Sequence, residues 1–166
     1  GERLGPLNPL PVDDPNAVLS GFANPKMGEW INSTLESDLA EKGAYDATAP
    51  CRSGSRLLEA EGGTYLRPTI VHCNSMEHVL ANREFLCPYA SVVEVPQAEM
   101  LRSIGPTLVV TAITKDEPFK RQLLGASNVE RLNIGPISTM KISWDQPHEG
   151  NMFEFLYKRR SIGMAA

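Results

Sequence analysis

Cysteine is scarce in this 166-residue chain, and its count is odd: Cys51, Cys73 and Cys87 are the only three. In a medium-sized chain that opens without an apolar leader, this argues against a disulfide-stapled secreted domain and for a reducing compartment, with cytoplasm the expected location. The opening Gly1-Glu2-Arg3-Leu4 has neither the basic nor the apolar region of a signal peptide, and it lacks an initiator methionine. The expectation is a processed piece or an excised part of something longer. No run approaches the length of about 18 apolar residues that a membrane span needs, so no membrane partner is expected. Lysine and arginine never cluster beyond Lys158-Arg159-Arg160, and the net charge is −4. A nucleic-acid partner is therefore not expected. No G-x-G-x-x-G opens a helix after a strand, and there is no G-x-x-x-x-G-K, so neither phosphate-cradling loop is present. His72, Cys73, His78 and Cys87 contain no C-x₂₋₄-C pair. Adjacent strand residues His72 and Cys73 would point to opposite faces, so no metal site is expected.

What remains is an ordinary globular composition, 42% hydrophobic and 22% charged, with enough length for one buried core. Pro6, Pro9, Pro11 and Pro15 each remove a backbone donor, so residues 1–16 read as an extended, proline-rich arm and residues 17–166 as one domain. Asn24-Pro25 supplies an N-cap and a first-turn proline. Met27, Trp30, Ile31, Leu35 and Leu39 follow at helical spacing, predicting a helix closed by Gly43 whose Met27/Trp30/Ile31 stripe faces the core. Residues 44–54 are small and polar and read as a surface loop.

Strands are expected at 56–60 and 65–73, with Pro68 marking an edge or a strand start, and at 91–95. Ser75 caps a predicted helix through about Arg83, and a second helix spans 98–104 before Gly105-Pro106. Leu108 to Ile113 is the most apolar strand, expected to be central and covered on both faces. Asp116 caps a helix ending near Leu124-Gly125, residues 129–134 form another strand, 135–150 are irregular, and 152–159 are predicted helical. Alternating strands and helices argue for an α/β fold with an open, largely parallel sheet flanked by helices.

One order of residues is more specific. Gly62-Gly63, Tyr65-Leu66-Arg67-Pro68-Thr69-Ile70-Val71, Asn82-Arg83-Glu84-Phe85-Leu86-Cys87-Pro88 and Ser91-Val92-Val93-Glu94-Val95 follow one another. This resembles the aldehyde dehydrogenase superfamily, where G-x-[YF]-x-x-P-T-[VI] is followed by E-x-F-G-P and then a strand. Leu4-Gly5-Pro6-Leu7 is similar to the family's G-P-L segment, and Pro147-His148-Glu149-Gly150 occupies the place of its P-F-G-G turn. The resemblance implies the C-terminal, catalytic-domain portion of an NAD- or NADP-dependent oxidoreductase that converts an aldehyde to a carboxylic acid, homo-oligomeric when intact.

In that family a cysteine thiolate attacks the aldehyde, hydride passes to the cofactor and a glutamate activates the water that releases the acid. The nucleophile, the base and the nucleotide domain precede the G-P-L segment, so the resemblance implies that none of them lies in this chain and that the piece alone is inactive. It assigns Glu84 to the nicotinamide ribose hydroxyls, Leu86 to packing on the nicotinamide, and His148 and Glu149 to the substrate pocket. Read without it, Glu84 is a helix-end carboxylate and His148-Glu149 a solvated turn pair.

Departures from the family pattern are also present. Cys87 stands where the family has glycine, Leu86 where it has an aromatic, Gly135 near its asparagine, and His148 and Glu149 where Phe and Gly are usual. They imply a divergent member, or a non-catalytic interaction or structural domain that keeps the fold. Cys87 is read as a packing residue. A small thiol enzyme built on Cys51 beside Arg52 is a remote third reading.

Overall fold

The computed structural model describes residues 2–11, 13–60, 62–141 and 161–165. They fall into two compact units, residues 1–95 and 96–166, each taken by itself.

In the first unit, helix α1 (Pro25–Leu39) starts where the sequence places it: the Asn24 side chain accepts from the Lys26 amide, and proline occupies the first turn. It ends at Leu39, short of Gly43, whose positive φ of 107° serves the following turn. Ile31 and Leu35 are buried, but Met27 and Trp30 are 47% and 55% exposed, so only part of the predicted stripe reaches the core.

Residues 44–54 are not a plain loop. They contain strand β1 (Ala44–Asp46) and a 3₁₀ turn (Ala49–Cys51). Strands β2 (Leu57–Ala60) and β3 (Gly63–Leu66) form an antiparallel hairpin. The predicted strand 65–73 divides at Pro68: β3 belongs to the hairpin, and β4 (Thr69–Cys73) sits in another sheet. Proline has no amide for a ladder, so the chain changes sheets there.

β4 is the middle of a three-stranded sheet, antiparallel to β1 and parallel to β5 (Tyr89–Val93). The helix expected over 75–83 shrinks to one 3₁₀ turn (Val79–Ala81): His78 has extended backbone, which breaks a helix running on from Ser75, and its imidazole caps the short turn by accepting from the Leu80 amide. Ile31, Leu35, Leu66, Val71, Cys73, Leu80 and Phe85 make this unit's core.

In the second unit the described strands are all parallel. β6 (Thr107–Ala112), β7 (Val129–Ile134) and β8 (Ser161–Met164) pair in that order. Among the described strands β7 is thus central and β6 at an edge, unlike the expectation for 108–113. Leu108 and Ile113 are 57% and 78% exposed, so apolar character alone did not reveal strand order. α2 (Gln97–Ile104) stops at Gly105, and α3 (Glu117–Gly125) is capped by Asp116 accepting from the Phe119 amide. Ala112, Phe119, Leu123, Val129, Leu132 and Ile134 form the core, with Met100 and Leu101 of α2 packed on it. The mixed α/β architecture with a parallel, helix-flanked sheet agrees with the fold class read from the sequence. The predicted helix 152–159 lies outside the described residues.

Candidate functional site

The segment 82–88 is held by one ring. Phe85 is buried and meets Trp30 edge-on (centroids 6.2 Å, 72°) and Tyr89 edge-on (5.1 Å, 89°). The Tyr89 hydroxyl donates to the Leu80 carbonyl at 2.8 Å. Arg83 lies over Phe85 at 5.8 Å and donates to Asp38 at 2.9 Å, tying the segment to α1. Edge-to-face rings and a paired guanidinium fix the backbone, and its neighbours Glu84 and Leu86 are exposed.

Both then line one cleft of about 420 Å³, with Phe22, Asn24, Met27, Trp30 and Phe85 as its walls. Glu84 has no hydrogen bond or ion pair with any other described residue, and Leu86 is 94% exposed. A smaller hollow of about 330 Å³ shares Phe22 and Leu86 with it and is lined further by Val18, Ser20, Cys87 and Pro88. Burial pushes the Cys87 thiol up to about 11 and outweighs the positive charge of Arg56, which pulls the other way. A thiol held neutral at ordinary pH is no nucleophile, and Cys87 packs against the core.

A buried ionic knot escaped the sequence reading, which placed Asp46 and Arg52 in a surface loop and Arg56 at the start of a strand. Asp46 Oδ2 accepts from Arg52 Nη2 and Arg56 Nη2, both at 2.9 Å, and Oδ1 accepts from the Thr48 amide and hydroxyl and the Ala49 amide. Arg56 also donates to Thr69 on β4 (3.0 Å) and to Asn32 (3.1 Å) and Glu36 (2.7 Å) on α1. Burial alone would raise the Asp46 pKa; the Thr48 hydroxyl and the two guanidinium groups outweigh it and hold the carboxyl at about 2. The signal that could have found this knot is an acid followed by two arginines, Asp46, Arg52 and Arg56, in a stretch otherwise made of small residues.

His72 stacks on Tyr45 and lies 3.6 Å from Glu94, and His78 is spent on the Leu80 amide. Among the described residues no group of three or more His, Cys, Asp or Glu side chains could hold a metal ion. Cys51 is half-buried, and a Cβ on Gly5 would come within 2.6 Å of the Cys51 Cβ. His148 and Glu149 lie outside the described residues. No described helix is long and apolar enough to cross a membrane.

No protein-family model and no curated protein matches the chain. Among solved structures it is similar to a mutant aldehyde dehydrogenase from Bacillus cereus, with a TM-score of 0.53 and 15% identity over 71% of this chain. The chain spans about a quarter of that protein's length, 24%. At that identity the likeness is one of fold, and the chain has a distant aldehyde dehydrogenase-like α/β fold.

Proposed function

We propose that the chain is the C-terminal, catalytic-domain portion of an NAD- or NADP-dependent aldehyde dehydrogenase-like oxidoreductase, with Glu84 and Leu86 facing the nicotinamide end of the cofactor. The observation that carries this is the joint placement of Glu84 and Leu86 on one cleft, within a fold like that of an aldehyde dehydrogenase. A carboxylate with no partner among the described residues is fitted to accept from two ribose hydroxyls, and an exposed aliphatic side chain is fitted to cover one face of a flat ring. An oxidised nicotinamide held there would supply the hydride acceptor. This chain's own share is to orient the ribose through Glu84 and to keep water from the ring through Leu86.

The thiol nucleophile and the glutamate base belong, on this reading, to polypeptide preceding residue 1, and the intact protein is a cytoplasmic homo-oligomer acting on an aldehyde. The test is absorbance at the NADH wavelength with an aldehyde series. The 166-residue chain alone gives no sustained turnover, and the longer gene product does. In that longer protein Glu84→Gln raises KM for the cofactor about tenfold, the loss of one charge-assisted hydrogen-bonding partner. Turnover by the isolated chain, or an unchanged KM, overturns the reading. One observation favours a second reading, a non-catalytic domain that keeps the fold: Cys87, where the family has glycine, is held as a neutral packed thiol. A longer product with no dehydrogenase activity would select it.

A further inference from the structure

The cleft that Glu84 lines has walls that the nucleotide reading does not use. Phe22, Trp30 and Phe85 bring three aromatic rings to a space of about 420 Å³, and the carboxylate there, Glu84, has no cationic partner among the described residues. Trp30 is more than half exposed although it sits on a helix face with Ile31 and Leu35, both buried. Aromatic faces carry negative quadrupole potential, and a carboxylate beside them adds a full negative charge.

The nearby positive groups do not cancel this. Arg83 is paired with Asp38 and set over Phe85. The amino end of α1, whose cap Asn24 lies on the cleft wall, contributes only about half a positive charge, less than the full negative charge of Glu84. Met27, Ile31 and Leu86 complete a lining that suits a weakly hydrated cation and disfavours a strongly hydrated one.

We infer that this cleft binds a small organic ammonium group, of the methylated or alkylated kind, with Trp30 and Phe22 against its carbon shell and Glu84 as counter-charge. This goes beyond the oxidoreductase reading, since it needs no nucleotide and no catalytic thiol.

The full chain carrying Trp144→Phe leaves Trp30 as the sole tryptophan, and its emission is followed while tetramethylammonium chloride is added. A saturable change is expected, with no comparable change from sodium chloride at equal ionic strength or from tert-butanol, the neutral analogue of similar shape. Glu84→Gln, at an exposed position that leaves the fold intact, weakens binding about fivefold, and Phe22→Leu weakens it by a similar factor. An equal response to tert-butanol, an equal response to sodium, or undiminished binding by Glu84→Gln overturns the inference. Separate titration of the longer gene product with NAD distinguishes the two proposals. A longer product that takes nucleotide while the cleft ignores tetramethylammonium keeps the oxidoreductase reading and loses this one, and one that takes no nucleotide while the cleft binds tetramethylammonium does the opposite.

Discussion

The two units bury polarity in different ways. In the first, Asp46 is enclosed with Arg52 and Arg56, the excess positive charge is met by Glu36, and Arg56 alone joins α1, β1 and β4 through its donors. In the second, the described interior is mainly apolar and holds no buried carboxylate. Buried Asn133 donates to the Thr111 hydroxyl, and buried Arg131 donates to the Thr139 carbonyl. Stability of the first unit should therefore follow charge and pH, and that of the second should follow volume.

Four measurements break or sharpen that contrast. The largest effect belongs to Arg56→Met, which leaves Asp46 with one guanidinium in place of two and cuts the links to Thr69, Asn32 and Glu36; about 3–5 kcal/mol of the first unit's stability should go. Urea unfolding followed by Trp30 emission in a Trp144→Phe background reads it, and a loss below ~1 kcal/mol would show the knot to be dispensable. Next, Leu132→Ala hollows the middle strand of the second unit, where Leu132 is fully buried, at a cost of about 3 kcal/mol. Amide exchange of β7 reports it, and Trp30 emission should not move.

The third is acid. Asp46 titrates near 2 when folded against 3.8 ordinarily, so the unfolded chain takes up the proton first. The resulting stability is present above about pH 4 and lost as pH falls toward 2, roughly 2 kcal/mol in all. Asp46→Asn should flatten that slope in the first unit, and an unchanged slope would assign it to other carboxyls. The smallest is Asn24→Ala, which removes the side-chain acceptor for the Lys26 amide and costs about 1 kcal/mol by the same urea measurement.

The contrast also explains what could be read beforehand. In the second unit α2, α3 and β7 lie where local signals place them, because a stop at Gly105, the Asp116 cap and the apolar Val129, Leu132 and Ile134 each act within a few residues. Strand order was hidden there, since β8 must exist for β7 to become central. In the first unit the errors fall where distant partners decide. Residues 44–51 are organised by Arg56 and the β4 ladder, and Pro68 divides two strands that belong to different sheets. The side chains of Glu84 and Leu86 could be singled out only by the order of motifs around them. That Trp30 stands exposed beside them was invisible to periodicity, which counts it with Ile31.

β8 joins β7 only after residues 135–160 have intervened. On a ribosome, then, β7 emerges with β6 alone beside it and shows an open backbone edge for as long as those residues take to be made. Parallel pairings between distant segments close slowly, and an open apolar edge recruits other chains. Faster elongation through 135–160, or a chaperone covering that edge, should raise the yield of soluble protein more than any gain in the finished molecule's stability.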